Sequence, residues 1–248
     1  MKKGNFKKLI ENNKWLKKVP NFLTICNSLC GFAAILYTLH VYDASQTTTD
    51  VLKVSAWIIL FAMVFDAADG FAARIFNAAS MKGLQMDSLS DMVTFGVAPA
   101  VVVAVMAHRM KAVGTSFTPY DYLFIWGITG VYLGCAALRL AAYNVSAISP
   151  SPYHDSNYFT GLPSPGAAAA VASAVIFFNN TSPGEIKHLS YSLPLYAATL
   201  GLLMISNIRY IHVGRWLPTI RRNRRRMVLF ILILITIVVA FPLGVSAA

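Results

Sequence analysis

Four of the chain's ten acidic side chains, Asp66, Asp69, Asp87 and Asp91, fall within VFDAADGFAARIFNAASMKGLQMDSLSDMVTFG, residues 64–96, in or beside two apolar runs. A carboxylate inside a bilayer costs about 2.5–3.5 kcal/mol on insertion scales, and clustering adds mutual repulsion. On a helix turning by about 100° per residue, Asp69 lies about 60° round from Asp66, Gly70 about 40° and Ala73 about 20°. The two acids therefore share a face with two of the smallest side chains, and Arg74 sits on its flank. Asp87 and Asp91, four apart and just after Gly83, share a face of the next helix. The short connection makes these helices antiparallel neighbours with their acidic faces turned toward each other.

One arginine cannot neutralise four carboxylates, and the two faces carry no histidine or thiol. Ligation by carboxylates alone selects hard cations, Mg²⁺, Mn²⁺ or Ca²⁺, over zinc or copper. Magnesium tends to keep positions open for water and substrate phosphates. The expectation is one or two divalent ions between protein and a phosphorylated ligand. A lone intramembrane aspartate reads equally well as the partner of an arginine, but four on facing helices do not.

The elements that hold these residues are membrane helices. The 248-residue chain is 56% hydrophobic and only 12% charged, against roughly 25% charged in soluble domains. Apolar runs near the spanning length of about 20 residues recur. They are read near 20–42, 54–76, 88–108, 121–145, 162–180, 189–208 and 227–246. The net charge of +11 does not call for nucleic acid, because its distribution follows topology. Seven lysines lie in residues 2–18 and seven arginines in 209–226. With a cytoplasmic N-terminus these fall inside together with Arg74, Lys82 and Arg139, leaving only Lys53, Arg109, Lys111 and Lys187 outside. Both clusters also suit anionic lipid headgroups.

Residues 1–18 read as a basic interfacial segment, with Phe6, Leu9, Ile10 and Trp15 among lysines. No cleaved signal peptide is expected. Cys26, Cys30 and Cys135, odd in number and set in spans, argue against disulfides or zinc. The polar connection 146–165 falls on the cytoplasmic side in this topology. Gly127, Gly130 and Gly134, and Ala167–Ala170, are spaced for close helix packing, either within one bundle or at a dimer seam.

From Asp66 the sequence runs D-x2-D-G-x2-A-R-x8-G-x3-D-x3-D through Asp69, Gly70, Ala73, Arg74, Gly83, Asp87 and Asp91. This resembles the signature of the CDP-alcohol phosphotransferases. PNFLTICNSLCGF, DSLSDMVTFGVAPA, LRLAAYNV and FTGLPSPGAA are similar to the phosphatidylserine synthase branch, and together they cover most of residues 19–170. Ala142 departs from the pattern, standing near where a basic residue is expected.

The resemblance implies an all-α, polytopic membrane bundle in the cell membrane. It would comprise a six-helix core within a catalytic domain, 19–212, then a basic connection and an extra transmembrane helix, 213–248. It implies transfer of the phosphatidyl group of CDP-diacylglycerol to the hydroxyl of L-serine, releasing CMP, by a homodimer with its site on the cytoplasmic side. Asp66, Asp69, Asp87 and Asp91 would hold Mg²⁺ or Mn²⁺, with Ca²⁺ able to occupy the site. Asp91 would also be the general base. Gly70, Ala73, Arg74, Gly83, Asn21 and Thr24 would join the acids in binding CDP-diacylglycerol. Arg139, Asn144, Asn27 and Ser164 would face the acceptor.

Each acceptor-side residue also has a plainer reading. Arg139 could snorkel to the interface, Gly161–Pro165 could be a proline-set helix start, and the span-one polar residues could bond neighbouring helices. Glycerol 3-phosphate, inositol or inositol phosphate would use the same chemistry, though the phosphorylated acceptors call for a denser basic pocket. A divalent-cation transporter would need polar residues along the full depth of the bundle, whereas the outer halves here are apolar.

Overall fold

A computed structural model describes residues 15–42, 48–76, 78, 80–112, 118–148, 158–179 and 186–211. After a 3₁₀ turn at Leu16–Lys18, helix α1 (Val19–Leu39) buries Pro20, Thr24, Asn27, Gly31, Ala34 and Thr38. These recur at three- and four-residue steps, so they form one stripe, and the stripe is small and polar. The large apolar side chains of the same helix point outward: Phe22 is 65% exposed and Leu29 59%. In water this would be inverted. In lipid it is the economical arrangement, because hydrocarbon gives apolar side chains no reason to hide and small residues let backbones approach.

Helix α2 (Thr48–Ile75) packs along α1. Helix α3 (Met81–Asp91) runs through a π-helical turn, Met92–Val97, into α4 (Ala98–Ala112). Helix α5 (Pro119–Ile148) pairs with α7 (Ile186–Ile205), and α6 (Ser164–Asn179) lies against α2. The continuous α3–α4 rod is the centre of the bundle, and α4 touches α1, α2, α5, α6 and α7. Its Phe95, Val102, Val103 and Met106 are buried with Leu52 and Ile59 of α2, Tyr132 of α5 and Leu193 of α7.

The π-turn has a local cause. Pro99 has no N–H to give to the carbonyl of Phe95 one turn back, and its ring crowds that position. The ladder widens, and the Tyr132 hydroxyl donates to the Phe95 oxygen at 2.8 Å instead.

Among the described residues, four stretches are long and apolar enough to cross a membrane: Leu16–Tyr42, Val51–Ile75, Met81–Arg109 and Pro119–Ile148. Helices α6 and α7 are apolar but shorter. The third rod starts at Met81, earlier than the span read near 88, because Ser80 caps it by accepting from the Gly83 N–H at 3.0 Å. Asp87 therefore lies well inside the rod.

Among the described residues the fold is helical except for one small ribbon. Strand β1 (Tyr158–Thr160) pairs antiparallel with β2 (Arg209–Ile211), with Phe159 opposite Tyr210. Gly161 follows β1 at φ +83 and donates its N–H to the Ile208 carbonyl. Any β-carbon there would strike the Met204 carbonyl oxygen.

Gly127, Gly130 and Gly134 face open space within the chain, so the reading of them as intramolecular packing contacts is corrected. The span read at 227–246, the 213–248 segment and most of 1–18 lie outside the described residues.

Candidate active site

The acidic faces of α2 and α3 meet. One carboxylate oxygen from each of Asp66, Asp69 and Asp87 lies within 4.8 Å of the others. Asp91, one turn beyond Asp87, sits outside that trio, and the charges of Asp66, Asp87 and Asp69 act on it. Asp69 and Asp91 are buried. Asp87 Oδ1 is a buried acceptor with no hydrogen-bond partner in the protein. An oxygen-only set with an unsatisfied buried carboxylate suits a hard divalent cation. These three residues could hold one.

Helix α1 orients the acids. The Thr24 hydroxyl donates to Asp69 Oδ2 at 2.9 Å, and Asn27 Nδ2 donates to Asp91 Oδ1 at 3.3 Å. The α3 rod grips α1 in return. Ser90 Oγ donates to the Thr24 carbonyl and Thr94 Oγ1 to the Asn27 carbonyl, each at 2.9 Å. Gly31 is needed one turn further on, where a β-carbon would sit 2.5 Å from Thr94 Oγ1 and 2.7 Å from its Cα. Four hydrogen bonds thus lock two acids, three hydroxyls, one amide and two carbonyls into one register.

The other residues singled out by sequence fall in four places. Gly70 and Arg74 are exposed on α2, and a β-carbon on Gly70 would meet nothing within 4 Å, so that flank is open to a ligand. Ala73 is half-buried beside them. Asn21 lies against Gly83 at the start of α3, its Oδ1 3.6 Å from where a β-carbon would stand.

On the far side of Asp91, Arg139 Nη1 donates to Ser164 Oγ at 2.7 Å, joining α5 to the first residue of α6. Asn144 is drawn elsewhere. Its Oδ1 accepts from Ser88 Oγ at 2.8 Å, and both line a groove of about 380 Å³ with Gln85, Leu89, Met92 and Leu140. That flank of α3 is turned away from the one bearing Asp87 and Asp91.

Sequence reading missed Ser90, Thr94 and Tyr132. Ser90 and Thr94 carry a signal, being hydroxyls four apart beside the acidic face. Pro99 carries another, because its missing N–H implies a free carbonyl at Phe95 that some donor must satisfy.

A bundle of apolar helices with a partly buried acid trio between two of them defines a multi-pass membrane protein with a candidate metal centre. The chain matches the family model for CDP-alcohol phosphatidyltransferase over residues 17–206, and it belongs to that family. Curated relatives agree. A CDP-diacylglycerol–serine O-phosphatidyltransferase of Helicobacter pylori is 28% identical over 225 residues, 90% of this chain and 81% of the relative. The enzyme of the same name from Saccharomyces cerevisiae is 31% identical over 171 residues, 65% of this chain and 57% of the relative. An archaetidylserine synthase of Methanothermobacter thermautotrophicus is 30% identical over 194 residues, 77% and 69% of the two chains.

Proposed function

We propose that this chain transfers the phosphatidyl group of CDP-diacylglycerol to the hydroxyl of L-serine, giving phosphatidylserine and CMP. The observation that carries the proposal is the trio Asp66, Asp69 and Asp87, drawn within 4.8 Å from two rods with Asp91 beside it. The names of the relatives support serine as acceptor.

Asp66, Asp69 and Asp87 would hold Mg²⁺ or Mn²⁺. Such an ion, when bound, neutralises charge on the diphosphate and on the departing CMP. Asp91 takes the proton of the serine hydroxyl. The freed oxygen forms a bond to the lipid-side phosphorus, and the bond from that phosphorus to the CMP oxygen breaks. No covalent intermediate with the protein is required, so positioning carries most of the work. Thr24 and Asn27 do that positioning by holding Asp69 and Asp91. Gly70 and Ala73 leave room for the nucleoside, Arg74 reaches phosphate, and Asn21 and Gly83 shape the start of α3. Arg139, Asn27 and Ser164 lie on the acceptor side.

The charge distribution supports a cytoplasmic N-terminus and a cytoplasmic site. The family supports a six-helix catalytic core over 19–212, with 213–248 adding a basic connection and a seventh span. It also supports a homodimer, for which the open glycine face of α5 is available.

The test is to offer labelled L-serine, glycerol 3-phosphate and inositol separately with CDP-diacylglycerol and Mn²⁺, and to identify the lipid. Phosphatidylserine with stoichiometric CMP is the expected product. A product formed only from another acceptor would replace serine in the reading.

A further inference from the structure

Besides Asp87 Oδ1, two further buried polar atoms on residues singled out for the site have no hydrogen-bond partner in the protein, and they are of opposite kinds. Asn27 Oδ1 is an acceptor and Arg139 Nε a donor. Asn27 is completely buried, and its Nδ2 is committed to Asp91 Oδ1 at 3.3 Å. That contact fixes the amide's orientation, because the reversed amide would set oxygen against oxygen. The Thr94 hydroxyl on the Asn27 carbonyl holds the backbone as well, so Oδ1 cannot escape by a shift of the helix. Arg139 gives Nη1 to Ser164 Oγ at 2.7 Å, and Asp91 acts on it electrostatically. Its Nε donor is left over. Buried groups without partners are costly and rare, and each calls for an explanation.

We infer that these two atoms receive the two charged ends of a free amino-acid acceptor, with the ammonium on Asn27 Oδ1 and the carboxylate on Arg139. Asp91, bonded to Asn27 and beside Arg139, then meets the hydroxyl between them. This rests on the phosphatidyltransferase reading and adds which end of the acceptor each residue takes.

The chemistry is selective. A guanidinium edge pairs with a planar carboxylate through parallel hydrogen bonds, and an amide oxygen can take an ammonium but repels any carboxylate or phosphate. An acceptor lacking one charged end leaves one buried atom unpaired, which is the situation in which binding sites discriminate most strongly. Ethanolamine would abandon Arg139 Nε, and 3-hydroxypropionate would abandon Asn27 Oδ1. Asn27 therefore has two jobs, positioning Asp91 through nitrogen and selecting the acceptor through oxygen.

The experiment compares L-serine, ethanolamine and 3-hydroxypropionate as acceptors for the full chain in nanodiscs with CDP-diacylglycerol and Mn²⁺. L-serine and CDP-diacylglycerol binding are measured alongside by calorimetry. Wild type should prefer serine to either analogue by about 10- to 100-fold each, the size of one lost hydrogen bond to a charged group. Asn27→Leu should weaken serine binding by a similar factor, erase the preference over 3-hydroxypropionate and leave CDP-diacylglycerol binding intact. Asn27→Asp keeps the oxygen but loses the donor to Asp91, so it should keep that preference while turnover falls. Arg139→Gln should erase the preference over ethanolamine.

Wild type using 3-hydroxypropionate as well as serine would overturn the inference without any variant. So would an Asn27→Leu protein that binds CDP-diacylglycerol and keeps its serine preference. Variants that lose CDP-diacylglycerol binding along with serine would assign these residues to the donor and overturn it too. Wild type that binds CDP-diacylglycerol yet makes no phosphatidylserine would instead sink the parent reading, and this inference with it.

Discussion

Thr24 and Asp69 stand 45 positions apart in the chain, yet the Thr24 hydroxyl donates to Asp69 Oδ2 across 2.9 Å. The same hydroxyl also lies 3.0 Å from the Pro20 carbonyl, so its single proton is shared between a backbone acceptor of α1 and the carboxylate. Thr24→Val keeps the shape and removes the donor. A hydrogen bond to a charged group contributes about 1.5–3 kcal/mol, so kcat/KM for CDP-diacylglycerol should fall roughly 10- to 100-fold, with Thr24→Ser restoring most of it. Steady-state assays with the donor varied check this. Equal activity in Thr24→Val would mean that Asp69 needs no guide.

Gly31 and Gly70 should separate stability from binding. A β-carbon at Gly31 would press on the backbone and side chain of Thr94, whereas one at Gly70 meets open space. Gly31→Ala should destabilise by about 1–3 kcal/mol, the cost of overpacking a tight contact, and should loosen the Asn27–Asp91 bond. Gly70→Ala should leave thermal unfolding unchanged but raise KM for CDP-diacylglycerol. Unfolding midpoints in detergent beside donor kinetics distinguish the two.

Tyr132→Phe leaves the Phe95 carbonyl without the donor that now stands 2.8 Å away. Stranding a buried acceptor costs about 1–3 kcal/mol. The unfolding midpoint should fall, with little change in KM for either substrate, because Tyr132 lies apart from the acids. An unchanged midpoint would mean that water or another donor takes that carbonyl.

Much of this was legible in the residues themselves. Acids at Asp66 and Asp69, then Asp87 and Asp91, predict two facing helical faces, and the trio meets across them. The polar stripe of α1 was also visible, since Asn21, Thr24 and Asn27 stand at helical spacing in an apolar run. What could not be read was which partner each would choose. Thr24 binds an acid rather than empty space, and Asn144 turns to Ser88 rather than to the acids. Side-chain partners across helices depend on rotation and depth, which a spacing rule leaves free. The start of the third rod was misjudged because hydropathy averages over Lys82, Gln85 and Asp87, whereas the chain begins its helix at the Ser80 cap. The glycine face of α5 shows the same limit, because spacing marks a close-packing surface without saying which surface packs on it.

Gly161 closes the ribbon end of the bundle at φ +83, with its N–H on the Ile208 carbonyl. Gly161→Ala would combine a left-handed backbone penalty with a collision at the Met204 carbonyl. It should destabilise the α6 entry and displace Ser164, so KM for serine should rise more than KM for CDP-diacylglycerol. Equal effects on both substrates would argue against a link between this turn and the acceptor side.

The most direct measurement is Mn²⁺ binding followed by electron paramagnetic resonance, with and without CDP-diacylglycerol, in wild type and in Asp66→Asn, Asp69→Asn and Asp87→Asn. Wild type should take up Mn²⁺, and the liponucleotide should tighten the ion's hold. Each single substitution should weaken binding by at least about 10-fold, as expected when one of few charged ligands is lost. Mn²⁺ held equally well by all three variants would contradict a shared ion between the two rods.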